Sequence, residues 1–343
     1  MYNVGIIGIG SISEGYGDPD DPLSYCHTGG ILYSDRVRLA AVADLDPERR
    51  NLFKDKWGDR FPGLTYFDSA AAMLDKMSLD IVAVCVRGPM HHQVTMEVIK
   101  AGPKAIFLEK PPTCSLQEMD DLIKSAGAKQ IPITVSYSRH WSPHVMRLQE
   151  LVQQEQLIGD VHTVIGYVGG TFLSFASHTT DLICQFAGYN PKSVMAQGHY
   201  RPDETVPTGY EGEPVVEGVL IAFDKGIKGI HVGADGANGG FCCEVLGTKG
   251  LVRAGMYLPP FACDEDKTPI DLSQYGMPED RSVFTVAYGQ IAGHLDGGPI
   301  PHCTNDHFKA VHEISFASIE SVLSGQKVDI PVANRDRKIF ANG

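Results

Sequence analysis

The sequence predicts an α/β chain with a doubly wound N-terminal domain over residues 1–138 and an α+β C-terminal domain over residues 139–343, built on an open, mainly antiparallel sheet. Three observations predict it. Short apolar runs alternate with amphipathic stretches through residue 138, as parallel strands joined by crossover helices require. Beyond Tyr137 the turns Asp224-Lys225-Gly226 and Gly247-Thr248-Lys249-Gly250 suit hairpins instead. The length of 343 residues fits about two domains, each able to bury its own core.

In the first domain, strands are expected at residues 3–8, 38–43, 64–67, 80–86, 105–108 and 131–136. Helices fit between them at 26–34, 47–57, 69–76, 91–101 and 115–128. Asp46 places an acceptor before the first-turn Pro47, and Asp68 precedes the Ala-rich helix. The ligand crevice of such a sheet lies beyond the C-terminal strand ends. In the second domain, helices are expected at 143–155 and 177–186, with strands at 161–166, 215–223, 226–234, 241–247 and 250–254. Residues 259–301, rich in Pro, Gly and Asp, read as a long surface excursion. A helix at 305–324 closes the domain, with Phe308, Val311, His312, Ser315, Phe316, Ile319 and Val322 along one side.

The composition is that of an ordinary globular protein, 43% hydrophobic and 21% charged. Forty-two acidic residues against 29 basic ones give a net charge of -13, with no Lys/Arg cluster, so nucleic acid is not an expected partner. The opening Met1-Tyr2-Asn3-Val4-Gly5-Ile6-Ile7-Gly8 reads as a buried strand without the basic region or cleavage site of a signal peptide, and export is not expected. The most apolar stretch, 161–176, is broken by Gly166, Gly169 and Gly170, short of the roughly 20 apolar residues a membrane span needs. Eight cysteines without a CxxC pair read as free thiols of a cytoplasmic protein.

Gly8-Ile9-Gly10-Ser11-Ile12-Ser13 follows the first strand, as a dinucleotide-binding turn requires. Gly8 permits the tight turn, Gly10 lets the backbone approach a pyrophosphate, and Ser13 is small enough for close helix packing. Oriented amides at the helix start, from Ser11 and Ile12, then attract the phosphates. Asp44 ends the second strand, where a carboxylate accepts hydrogen bonds from the ribose hydroxyls and repels a 2′-phosphate. That favours NAD over NADP, a plain surface carboxylate being the alternative. The spacing from Gly10 exceeds the usual ~20 residues because residues 14–25, with Gly15, Gly17, Pro19 and Pro22, form an insertion. Its place just after the phosphate turn makes it a candidate lid over the cofactor or substrate.

Ile106-Phe107-Leu108-Glu109-Lys110-Pro111 ends the fifth strand, so Lys110 emerges at the crevice. Here the sequence resembles the Gfo/Idh/MocA oxidoreductases along nearly its whole length. The resemblance runs through Gly8-x-Gly10, Ala43-Asp44 with Asp46-Pro47, Asp80-Ile81-Val82 leading to His91, Ala101-Gly102 and Glu109-Lys110-Pro111. It continues through Arg139-His140-Trp141-Ser142-Pro143, His178-Thr179-Thr180-Asp181 and Gly247-Thr248-x-Gly250. It implies that Lys110 lies beside both nicotinamide and reacting hydroxyl, orienting substrate and stabilising developing negative charge. It implies that Glu109 positions neighbouring groups, that Pro111 follows a cis peptide, and that His91 lies near the cofactor.

The same resemblance gives His178 the hydroxyl proton, a role suited to imidazole with its ordinary pKa of about 6.5. A core histidine bonded to a carbonyl is the alternative. Many relatives place an aspartate one helical turn earlier, where this chain has Ser174, which can bond substrate but cannot raise the imidazole's basicity. Asp181 is a further carboxylate on the helix, read as structural. Arg139, His140 and Trp141 can line a sugar-sized cavity, although Trp141 and Tyr137 suit core packing equally.

No metal is expected. His302, Cys303, Asp306, His307 and His312 are metal-competent, but His307 and His312 are five apart, off the i, i+4 face of a zincin helix. Asp18, Asp20 and Asp21 are interrupted by prolines and lack the other calcium-loop ligands.

The resulting expectation is an NAD-dependent oxidoreductase acting on a secondary alcohol of a sugar, sugar derivative or cyclitol. One alternative is a redox-neutral glycosidase or lyase using transient oxidation and elimination. Another is a non-catalytic regulator that senses sugar or NAD. The resemblance further implies homodimers or homotetramers joined through the open sheet.

Overall fold

The computed structural model describes residues 1–167, 170–200, 205–233 and 240–341. The chain forms two compact units. The first comprises Met1–Thr113, Glu118–Ser138 and Arg281–Asn305; the second comprises Cys114–Gln117, Arg139–Asp280 and Asp306–Gly343. The expected boundary at residue 138 is therefore crossed by a late segment that rejoins the first unit.

In the first unit, β1 (Tyr2–Ile7), β2 (Val37–Ala43), β3 (Thr65–Phe67), β4 (Ile81–Val84), β5 (Ala105–Leu108) and β6 (Ile133–Val135) form a parallel sheet in the order β3-β2-β1-β4-β5-β6. Every residue of β4, β5 and β6 is buried, as expected of a sheet covered on both faces. Strand order reverses between β1 and β4, which sets the ligand crevice at their C-terminal ends. The crossovers carry α1 (His27–Leu32), α2 (Pro47–Trp57), α3 (Ala70–Lys76), α4 (Gly88–Ala101) and α5 (Leu116–Ala128). Asp46 caps α2 by accepting from the Glu48 amide at 2.9 Å. The cap of α3 is Ser69, which accepts from the Ala72 amide, and not Asp68.

The surface excursion expected at 259–301 is corrected by the structure. It contains β13 (Phe261–Asp264) and a helix, α8 (Val283–Leu295), whose Val283, Phe284, Ala287, Tyr288 and Ile291 are buried. These apolar positions have helical spacing, obscured by Gly289, Gly293 and a Pro/Gly/Asp-rich flank. α8 crosses α1 closely: a Cβ on Gly30 would lie 2.3 Å from the Phe284 Cβ. Thr285 Oγ1 donates to the Gly30 carbonyl at 3.2 Å, closing the same contact.

In the second unit, β7 (Val161–Tyr167), β8 (Pro191–His199), β9 (Val215–Phe223), β10 (Lys228–Val232), β11 (Cys242–Gly247), β12 (Gly250–Gly255), β13 and β14 (Val328–Asp329) form one sheet, ordered β13-β12-β11-β7-β10-β9-β8-β14. Pairing is antiparallel except between β7 and β10. Strand β8 is not expected from its sequence, because Lys192, Gln197 and His199 blur the alternation. Helices α6 (Pro143–Gln153), α7 (Ser177–Ala187) and α9 (Asp306–Ser324) complete the unit. All of α7 is buried, and a Cβ on Gly166 of β7 would meet Thr179 Cγ2 at 2.5 Å.

All eight cysteines are buried. Among the described residues no helix is long and apolar enough to cross a membrane.

Candidate active site

The glycine turn leaves β1 under backbone control. Gly8 has φ +90°, and a Cβ there would lie 2.7 Å from the Cys85 carbonyl oxygen, so the turn and the end of β4 touch through backbone alone. Gly10 is extended, and the space a Cβ would fill is open, with Arg49 Nη1 the nearest atom at 3.7 Å. That opening fits the close approach of a pyrophosphate. The segment after Gly10 departs from the expected helix start. Ser11 and Ile12 lie in a single π-type turn, Ser11–Gly15, and α1 starts only at His27. The Ser13 and Glu14 amides bond back to the Gly10 carbonyl at 3.1 Å.

Asp44 closes the turn from β2. Its Oδ2 accepts from the Ile9 amide at 2.7 Å and its Oδ1 from the Asp46 amide at 2.9 Å. Arg49 Nη1 stands 4.0 Å from the same Oδ2, a cation not singled out in the sequence although it lies three residues after the Asp46 cap.

The insertion 14–25, the candidate lid, is fastened to its own unit. Trp57 Nε1 donates to Glu14 Oε2 at 3.2 Å, and Tyr33 Oη donates to the Pro19 carbonyl at 3.0 Å. Arg60 pairs with Asp20, Tyr25 Oη bonds Ser138 Oγ, and Ser282 Oγ donates to the Ser24 carbonyl at 2.8 Å.

Lys110 follows β5, half-buried, and its peptide to Pro111 is cis. Its position depends on Glu109, a carboxylate 4% exposed, whose Oε2 accepts from the Lys110 amide at 3.3 Å and whose Oε1 faces His27 Nε2 at 3.0 Å. Burial pushes the Glu109 pKa up, but the His27 hydrogen bond and charge, with Lys110 and Ser136, hold it below the ordinary value. The ionised carboxylate can only accept, so His27 donates from Nε2. The Tyr288 hydroxyl, kept protonated by burial, lies 2.8 Å from Nδ1. Phe107 and Phe284 wall the imidazole at centroid distances of 4.8 and 4.7 Å. Neither His27 nor Tyr288 was singled out in the sequence, because the pairs span 82 and 261 residues.

His91, expected near the cofactor, joins two loops. Its Nδ1 lies 2.6 Å from the Pro111 carbonyl and its Nε2 2.7 Å from the Val86 carbonyl, so both ring nitrogens engage backbone. Burial lowers its pKa against the pull of both carbonyls.

In the second unit, a short 3-10 turn, Ser138–Trp141, carries Arg139 and His140. Arg139 Nη1 lies 2.8 Å from His178 Nε2 on α7. A guanidinium has no acceptor, so Nε2 accepts and the imidazole is neutral with its proton on Nδ1. The guanidinium carbon stands 4.2 Å from the Phe241 ring centroid and 6.0 Å from that of Tyr257. Ser174 sits in a π-type turn, Phe172–Ala176, ahead of α7, so the expected one-turn register with His178 is not that of an α-helix. Asp181 Oδ2 bonds His140 Nδ1 at 2.9 Å and its Oδ1 accepts from Tyr189 at 3.1 Å. Trp141, 1% exposed, packs inside the protein. His307 stacks on Tyr189 at 3.9 Å and His312 meets Phe316 edge-on.

The strand order and the glycine turn together describe a Rossmann-type dinucleotide-binding unit, with Lys110 at the same edge of its sheet. Residues 2–137 match the Gfo/Idh/MocA oxidoreductase family, NAD-binding Rossmann fold. Over 267 residues the chain is 24% identical to myo-inositol 2-dehydrogenase of Thermotoga maritima, covering 73% of this chain and 74% of that one. In structure it resembles an Agrobacterium radiobacter oxidoreductase crystallised with NAD+, L-tartaric acid and magnesium, with a TM-score of 0.74 at 18% identity, over 96% of this chain and 98% of that one. It also resembles the WlbA dehydrogenase of Chromobacterium violaceum in complex with NADH and UDP-GlcNAcA, with a TM-score of 0.73 at 20% identity and 96% of each chain. At such identities the structural likeness carries the fold alone.

Proposed function

We propose that this protein transfers a hydride between NAD and a secondary alcohol of a sugar, sugar derivative or cyclitol. The observation that carries the reading lies in the first unit: Lys110 leaves β5 at the sheet edge that also holds the glycine turn of β1 and the Gly8–Cys85 contact, with β4 between them. The open space over Gly10 and the Asp44 carboxylate support a dinucleotide with free ribose hydroxyls. The inositol dehydrogenase relative supports a polyol substrate.

When bound, the nicotinamide supplies the acceptor or donor of hydride. The Lys110 ammonium donates to the substrate oxygen and stabilises the negative charge that grows there. Glu109 and His27 hold the Lys110 backbone in place from below. His178, in the second unit, carries the hydroxyl proton.

The test is turnover on a panel of sugars, cyclitols and glycosides with catalytic or stoichiometric NAD, read both as NADH absorbance and as product by mass spectrometry. Lys110→Ala is expected to lower kcat by about 10²–10³ while NADH affinity changes less than about threefold. Equal turnover in variant and parent overturns the role of Lys110. Product without NADH accumulation replaces this reading with the redox-neutral one, and tight NAD binding without any product replaces it with the regulator.

A further inference from the structure

Phe175 is the one outward side chain in a buried run. Residues 172–187 are otherwise buried throughout, yet this phenyl is 45% exposed, turned out by the π-type turn Phe172–Ala176 that precedes α7. Its ring centroid lies 4.8 Å from that of Phe241, the residue before β11. The Phe241 centroid in turn lies 6.5 Å from that of Tyr257, on the turn after β12. Antiparallel pairing of Cys242 with Gly255 brings these two strand ends together. Tyr257 is 52% exposed, whereas Phe241 is buried and forms the base of the cluster. That base is firmly set. Phe241 has φ +51°, a conformation a bulky residue adopts only where its surroundings impose it, and the Arg139 guanidinium lies over its ring at 4.2 Å. His178 meets the same ring edge to face at 5.8 Å, so the aromatic cluster adjoins the histidine that carries the hydroxyl proton in the proposed reaction.

Single apolar side chains at a surface are commonplace. Two half-exposed aromatic rings around a buried third, beside a candidate proton carrier, make a surface with a specific chemistry. The face of an aromatic ring carries negative charge and attracts C–H bonds polarised by neighbouring oxygens. A pyranose or cyclitol has such C–H bonds on its ring faces and hydroxyls around its rim, so it can stack while its hydroxyls reach polar groups. An open-chain polyol has the same hydroxyls and no face. We propose that Phe175 and Tyr257 form the subsite that seats the substrate by one ring face, and that the substrate is a ring-form sugar or cyclitol, not an open-chain polyol. This deepens the reading of a sugar or cyclitol substrate and rests on it. The two aromatics are then specificity-determining residues.

The experiment uses the NAD-loaded protein with myo-inositol, scyllo-inositol and methyl β-glucopyranoside as rings, glucitol and galactitol as open chains, and phenol as an aromatic control. Binding is measured by calorimetry, and by saturation-transfer NMR with irradiation of the aromatic protein protons. At least one ring is expected to bind about five-fold or more tightly than both open chains, and its C–H protons to take up saturation. Phe175→Leu combined with Tyr257→Leu keeps apolar bulk but removes both exposed rings, and is expected to abolish the preference. Phe175→Tyr and Tyr257→Phe, which keep a ring at each position, are expected to retain it, and guard against a folding defect in the leucine variant. The proposal is overturned if no ring outbinds the open chains, if the preference survives in the double leucine variant, or if the ring-keeping variants lose it as well. It is also overturned if phenol binds as tightly as every ring. Ring-selective binding without turnover would leave the subsite standing and remove the hydride-transfer reading. Turnover of open-chain polyols on a par with rings would do the reverse.

Discussion

His27 Nε2 meets Glu109 Oε1 at 3.0 Å inside the first unit, with both side chains almost wholly shielded from water. Removing one member of such a pair leaves a buried charge without its partner, which costs about 3–5 kcal/mol. His27→Ala is expected to destabilise the protein by about 3 kcal/mol in urea unfolding, and to lower kcat through the displaced Lys110 backbone. The linkage has a definite sign. Because the folded Glu109 pKa lies below its ordinary value, its contribution is complete above the unfolded carboxyl pKa and disappears as pH falls through the folded one. His27→Ala should therefore flatten the acid limb of the stability profile. An unchanged limb would mean that the pair does not stabilise the fold.

The two glycines of the phosphate turn predict opposite phenotypes. A methyl at Gly8 meets the Cys85 carbonyl at 2.7 Å in a backbone of φ +90°, so Gly8→Ala is expected to cost at least about 2 kcal/mol of stability. A methyl at Gly10 meets nothing nearer than Arg49 Nη1 at 3.7 Å, in an extended backbone that alanine adopts freely. Gly10→Ala should leave the melting temperature within about 2 °C while weakening NADH binding at least about ten-fold, because the methyl fills the space the pyrophosphate needs. Unfolding curves and NADH fluorescence titration separate the two, and unaltered cofactor affinity in Gly10→Ala would contradict the placement of the pyrophosphate.

How much of the fold the sequence made legible depends on the range of each interaction. Strands β1 to β6 were legible because a sheet buried on both faces writes itself as apolar runs, and α2 was legible to the residue because Asp46 and Pro47 mark its start locally. Helix α8 was hidden by Gly289 and Gly293, and its return to the first unit has no local signal at all. The same division holds in the candidate site. Gly8, Gly10, Asp44 and Lys110 stand at strand ends that periodicity locates. The partners of His91, Glu109 and His178 are made by topology, across 20, 82 and 39 residues, and only coordinates show them.

His312, on α9, is a buried imidazole whose pKa is pushed down to about 3 by burial and by the nearby Arg335. In the unfolded chain it titrates at about 6.5, so between these values the unfolded state binds the proton and the folded state does not. Stability is thus complete above about pH 6.5 and is lost as pH falls towards 3, by roughly 3 kcal/mol at pH 4. His312→Gln, which cannot titrate, is expected to remove that slope while lowering stability at neutral pH through imperfect packing against Phe316. Urea unfolding of parent and variant from pH 4 to pH 7.5 measures it, and parallel slopes would show that His312 is not the group responsible.

Asp44 and Arg49 set opposite charges 4.0 Å apart beside the glycine turn, and the balance between them is expected to set the preference between NAD and NADP. The carboxylate repels a 2′-phosphate, whereas the guanidinium, roughly half exposed, is free to swing towards one. Asp44→Asn keeps an oxygen to accept from the Ile9 amide and removes only the charge, so the turn should hold its shape. The ratio of NADP to NAD affinity is then expected to rise at least about ten-fold, which is about 1.4 kcal/mol of lost repulsion and gained attraction. Adding Arg49→Gln to that variant should return the ratio most of the way, chiefly by weakening NADP, because the neutral ribose hydroxyls have little use for the cation. Fluorescence titrations of NADH and NADPH against the three proteins are sufficient. A ratio unmoved by Asp44→Asn would show that the ribose end of the cofactor does not reach this carboxylate.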